Sequence, residues 1–122
     1  MKIRCEHNSI RLRLRKSEIQ TLHDQKYLET GVHFPDGRVF AWALRLDPDI
    51  AFMACNFSDG LICVQLPLGE AERWIQSETV GMESQADGVH VLVEKDFPCK
   101  DRPDEDKKDF FVELADQQAP LC

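Results

Sequence analysis

A chain of 122 residues, 43% of them hydrophobic, fits one domain with a real but modest core. Its formal net charge of −7 argues against general nucleic-acid binding, because contacts to phosphates dominate that affinity and require cations. No stretch approaches the roughly 20 apolar residues of a membrane span, and the chain opens on a charged strand, so a protein without membrane segment or targeting signal is expected.

Met1 to Arg15 reads as two strands around a tight turn at His7-Asn8. The pairing sets Ile3 opposite Leu12, Cys5 opposite Ile10 and Met1 opposite Leu14, giving one apolar face. The alternate face carries Lys2, Arg4, Arg11, Arg13 and Arg15 with Glu6 the one acid near them. Like charges opposite one another are destabilising, so these five cations call for a counter-charge. Ser17-Glu18-Ile19-Gln20 then reads as a capping box that opens a short helix to about Gln25. Asp36-Gly37 is a type I′ signature between Tyr27–Phe34 and Arg38–Leu46, a second hairpin. A third turns at Asp59-Gly60 and pairs Met53, Cys55 and Phe57 with Leu66, Val64 and Ile62. Pro67 leads into a helix from about Leu68 to Ser77, and Asp87-Gly88 joins Thr79–Ala86 to Val89–Lys95 in a fourth hairpin.

The order strand, strand, helix, strand, strand thus occurs twice. A shift of about 52 residues lays Ile10, Leu12, Leu14, Glu18 and Leu22 on Ile62, Val64, Leu66, Glu70 and Trp74. Two halves, about 1–46 and 50–95, that cannot bury their apolar faces alone are expected to close on each other. The expected fold is α+β: eight antiparallel strands in one sheet curled toward a barrel, two short helices, and an acidic, mostly irregular tail over 96–122. Val39 to Leu44 is apolar on both faces, so a helix or a second copy of the chain should lie over it. Phe40, Trp42 and Leu44 are the candidate residues of such a homodimer interface.

The two ends of the chain are electrostatic complements. Met1 to Lys16 holds six bases and one acid, while Glu94 to Asp116 holds nine acids and five bases. The tail also carries Phe97, Phe110, Phe111, Val112 and Leu114, which can anchor it. Docking of the tail on the basic hairpin is expected, with the aromatics supplying most of the energy because single surface ion pairs are worth about 0 to 1 kcal/mol.

Five cysteines, Cys5, Cys55, Cys63, Cys99 and Cys122, show no paired spacing, which fits free thiols in a reducing cytoplasm. Zinc needs about four converging ligands, and the register sends Cys5 inward and His7 into a turn, away from His33, His90 and Cys99. No metal site and no cofactor are expected. Cys99 is the one candidate reactive thiol; glycine-rich phosphate loops, nucleophile elbows and paired helical histidines are missing. Anion binding is the stronger chemistry, because Arg11, Arg13 and Arg15 beside Lys2 and Arg4 form a stripe whose guanidinium forks can grip phosphate. In topology alone such a duplicated barrel resembles the triphosphate-tunnel hydrolases, whose charged residues point inward, although their Glu-x-Glu-x-Lys strand is replaced here by Lys2-Ile3-Arg4-Cys5-Glu6.

Asn8-Ser9-Ile10-Arg11-Leu12-Arg13-Leu14 and Val93-Glu94-Lys95-Asp96-Phe97-x-Cys99 resemble the motifs of a group of short bacterial proteins known as a domain of unknown function. The resemblance spans almost the whole chain and implies a bacterial cytoplasmic protein with no assigned activity. Where that group ends on Asp-x-Phe-Pro-Asn, this chain has Asp109-Phe110-Phe111-Val112. The leading expectation is a non-enzymatic module whose basic hairpin meets its own tail or an acidic partner; the alternative is an enzyme or sensor for a phosphorylated small molecule at Arg11, Arg13 and Arg15.

Overall fold

The computed structural model describes residues 1–97. The elements are β1 (Lys2–Glu6), β2 (Ser9–Leu14), α1 (Lys16–Gln25), β3 (Tyr27–His33), β4 (Val39–Asp47), β5 (Ala54–Ser58), β6 (Leu61–Pro67), α2 (Leu68–Gln76), β7 (Gly81–Ala86) and β8 (Val89–Lys95). Each half is therefore ββαββ. Three hairpins turn on two residues in the left-handed region, His7-Asn8, Asp59-Gly60 and Asp87-Gly88, the geometry that matches strand twist. The fourth differs from expectation. Asp36-Gly37 is not a two-residue turn, because Pro35 fixes the preceding φ. The Gly37 N–H instead donates to the Phe34 carbonyl at 3.0 Å, with Gly37 alone in the left-handed region.

The helices begin differently from one another. The cap of α1 is Arg15 and not Ser17, because Glu18 reaches back three residues and accepts the Arg15 backbone N–H at 3.0 Å. The cap of α2 is Pro67, which has no N–H to offer.

Hairpin registers follow the apolar pattern: Ile3 pairs with Leu12, Cys5 with Ile10, Cys55 with Val64 and Phe57 with Ile62. The assembly of hairpins does not follow expectation. In place of one antiparallel sheet curled toward a barrel there are two four-stranded sheets, ordered β1-β2-β8-β7 and β3-β4-β6-β5. Each takes one hairpin from each half, and the inner strands meet in parallel, β2 with β8 and β4 with β6. The physical reason is the helices: α1 and α2 each carry the chain from one sheet to the other, so a half contributes its two hairpins to different sheets. Burial of the inner faces is satisfied by the sheets packing on each other, without closure.

Leu12, Leu14, Leu22, Leu44, Val64, Leu66, Val91 and Val93 are all under 2% exposed and form one core drawn from both sheets and α1, joined by Ala71 and Trp74 of α2. Central strand β4 is buried on both faces, Leu44 and Leu46 inward and Ala41 and Ala43 outward. The small alanines are flanked in the sheet by Gly31 and Glu29 of β3 and by Leu61 and Cys63 of β6. Burial thins toward the turns of the second sheet, where Val32 and Phe57 stay exposed. Leu44→Ala should therefore cost about 3 kcal/mol in chemical denaturation, and Phe57→Ala less than about 1 kcal/mol. Equal losses would contradict this placement of the core.

Candidate functional site: the basic outer face of the first sheet

Alternation along β2 turns Leu12 and Leu14 into the core and Arg11 and Arg13 out onto the sheet surface. The antiparallel neighbour sets Lys2 beside Arg13 and Arg4 beside Arg11, so four cations form two like-charged cross-strand pairs. The parallel neighbour answers them. Arg13 lies level with Glu94 of β8, and the Glu94 carboxylate accepts from the Arg13 guanidinium at 2.7 Å while standing 3.6 Å from that of Arg11. Both side chains of the closer pair are largely shielded, 15% and 12% exposed. The outer cations meet acids as well: Lys2 with Asp96 at 3.1 Å, Arg4 with Glu6 at 2.9 Å and Arg15 with Glu18 at 3.5 Å.

The stripe points to solvent, so the inward charged tunnel that a closed barrel would give is not formed. The chain leaving β8 stays on this face. The Asp96 backbone N–H donates to the Leu14 carbonyl at 2.8 Å, and the Phe97 ring lies 5.8 Å from the Arg13 guanidinium carbon. Arginine forks on this face can hold carboxylates or phosphates, and here they hold carboxylates.

Glu18 couples the stripe to the beginning of the chain, since it also accepts the Met1 amino group. Burial pushes the Glu18 carboxyl up, but the bonds from the Met1 amino group and the Arg15 backbone, with the charges of both, outweigh it and leave the group below the usual glutamate value.

The other sequence candidates are scattered. Leu44 is fully buried, Trp42 is half-buried and donates its indole N–H to the Met1 carbonyl at 3.0 Å, and Phe40 is half-buried with its ring 6.5 Å from that of Phe57. Cys5, expected inward, is exposed near the His7-Asn8 turn. Cys55 and Cys63 are half-buried, and desolvation raises both thiols, which lowers their thiolate fraction. Among the described residues no group of three or more metal-ligating side chains converges. Cys99, Cys122, Phe110, Phe111, Val112, Leu114 and the greater part of the tail lie outside the described residues.

Sequence reasoning counted Glu94 among the acids that complement the stripe without singling it out, and missed Glu18. A signal for the first was present: His90, Leu92 and Glu94 share the outward face of β8, and Glu94 is the only acid of the three. Using it required knowing that β8 lies beside β2.

Glu94→Gln leaves the shielded Arg13 without its carboxylate and should lower stability by about 2 kcal/mol, whereas Glu6→Gln at the exposed rim should change it by less than about 0.5 kcal/mol. Denaturant titration of the two variants checks this. On the outer face of the second sheet, Tyr27 donates its hydroxyl to the Glu29 carboxylate, which together with partial burial pushes the phenol up to about 12. Tyr27 is the only tyrosine, so the phenolate absorbance of the intact protein should titrate near that value and fall back toward 10 in Glu29→Gln. A wild-type midpoint near 10 would contradict the hydrogen bond.

Comparison with curated proteins and with solved structures finds no match. The model of a family of unknown function, DUF7009, matches residues 1–114, and the chain belongs to that family.

Proposed function

We propose that the protein is a non-enzymatic interaction module whose basic outer face holds an acidic stretch of polypeptide, with its own residues 98–122 as the resident occupant and acidic partner proteins as competitors. The observation that carries this reading is the path of Asp96 and Phe97. The first acid and the first aromatic after β8 already lie on the stripe, against Lys2 and Arg13. The chain beyond them continues the same chemistry, with Asp101, Asp104, Glu105 and Asp106 followed by Phe110 and Phe111. The family match extends to residue 114 and so takes in this segment. Lys2, Arg4 and Arg15 keep more than half of their side-chain surface exposed and remain accessible to further carboxylates. A phosphorylated small molecule would meet the same guanidinium groups, but it would have to displace Glu94 from Arg13, which places that reading second.

The test uses a labelled peptide of residues 98–122 added in trans. Among the described residues the core cluster draws on both sheets and both helices, and circular dichroism checks that a chain ended after Phe97 keeps this fold. The shortened chain should bind the peptide, lose affinity as salt rises, and lose it at least tenfold on Arg4→Glu. The full chain should bind the peptide much more weakly, because its own segment occupies the face. No binding to the shortened chain, or binding indifferent to salt and charge reversal, overturns the proposal.

A further inference from the structure

Beside α2 lies an open cavity of about 570 Å³, within the range of small-molecule sites, walled by Phe52, Trp74 and Met82 with Glu70 and Arg73 among its polar groups. It is separate from the basic face. The twofold repetition of ββαββ shows what is unusual about it. Leu12 and Val64 occupy equivalent inner positions of β2 and β6, and their cross-strand partners Ile3 and Cys55 extend the equivalence, so two residues earlier Met1 corresponds to Met53. Glu18 and Glu70 correspond too, each being the third residue of its helix.

In the first half the carboxylate is doubly engaged. Glu18 accepts the backbone N–H of its cap residue and the ammonium of Met1, whose side chain is fully buried. In the second half both partners are missing for reasons written in the chain. The cap residue is Pro67, which has no N–H, and at Met53 the chain continues backward into Phe52 instead of ending in an amine. Among the described residues no hydrogen bond or ion pair reaches the Glu70 side chain, while Glu83 across the cavity is held by His90 at 3.0 Å. One half thus satisfies its carboxylate with an ammonium attached to a buried apolar side chain; the other presents the same carboxylate on an open cavity of mixed lining whose apolar part is Phe52, Trp74 and Met82.

We infer that this cavity binds a small primary amine carrying an apolar group, its ammonium on Glu70 and its hydrophobic body against Phe52, Trp74 and Met82. Glu70 is exposed, so its ion pair orients the ligand and apolar burial supplies the affinity. Arg73 on the same wall adds a contact for a ligand that also has a carboxylate, as a free amino acid has.

Calorimetric titration of the full chain with 2-phenylethylamine, L-phenylalanine, 2-phenylethanol and 3-phenylpropionate tests it. The amine should bind at least tenfold tighter than the alcohol and the carboxylate. Tighter binding of phenylalanine than of the amine, lost in Arg73→Gln, would identify amino acids as the source of the ammonium. Glu70→Gln should remove amine binding with Tm unchanged, and Glu18→Gln should lower Tm with amine binding unchanged. Saturable binding of the alcohol as tight as that of the amine, amine binding that survives Glu70→Gln, or no saturable amine binding at all overturns the inference.

Discussion

The parallel pairing of β2 with β8 is the contact on which the first sheet and its surface chemistry depend. It joins Ser9–Leu14 to residues some 80 positions later in the chain and, among the described residues, is the strand pairing that unites the two hairpins of that sheet. The same pairing delivers an acid to the one place where alternation along β1 and β2 has forced cations together. Were β2 an edge strand, Arg11 and Arg13 would face water on one side and each other's neighbours on the other, a repulsive arrangement with no internal remedy.

The second sheet repeats the design with different residues at its surface. On the outer side of its central parallel pair, β4 with β6, lie Ala41, Ala43, Arg45 and Cys63, beside the Tyr27 of β3 that is hydrogen-bonded to Glu29, in place of an arginine stripe. The inner faces of the two sheets are chemically alike and the outer faces are not, which is what packing predicts: the core constrains both halves equally, while the surface is free to diverge. The same divergence separates Glu18, fully engaged, from Glu70, which is not.

Local features were legible in the sequence because they are decided by neighbours in the chain. Three two-residue turns, the register of the first and third hairpins and the existence of both helices follow from turn chemistry and period-two or period-3.6 patterning. The cap of α1 lies two residues before Ser17, a good cap by type, because the bond made is the one the Arg15 backbone N–H donates to the Glu18 carboxylate. The sheet arrangement was not legible, for a physical reason. The apolar faces of β2, β4, β6 and β8 are interchangeable in composition, so alternation says which face is buried without saying which strand lies alongside. With that neighbour unknown, the stripe could be recognised as needing an acid, but Glu94 could not be singled out from the many acids toward the end of the chain.

The exchange of hairpins between halves also bears on how the molecule comes into being. The second sheet needs β6 and the first needs β7 and β8, so during synthesis neither can close until most of the chain has left the ribosome. The early hairpins of the first half must wait with their oily sides uncovered, and pairings of such long sequence separation are the slow kind. Folding of this domain is thereby a late, whole-chain event, and nascent or truncated chains are the state in which it is most exposed to aggregation.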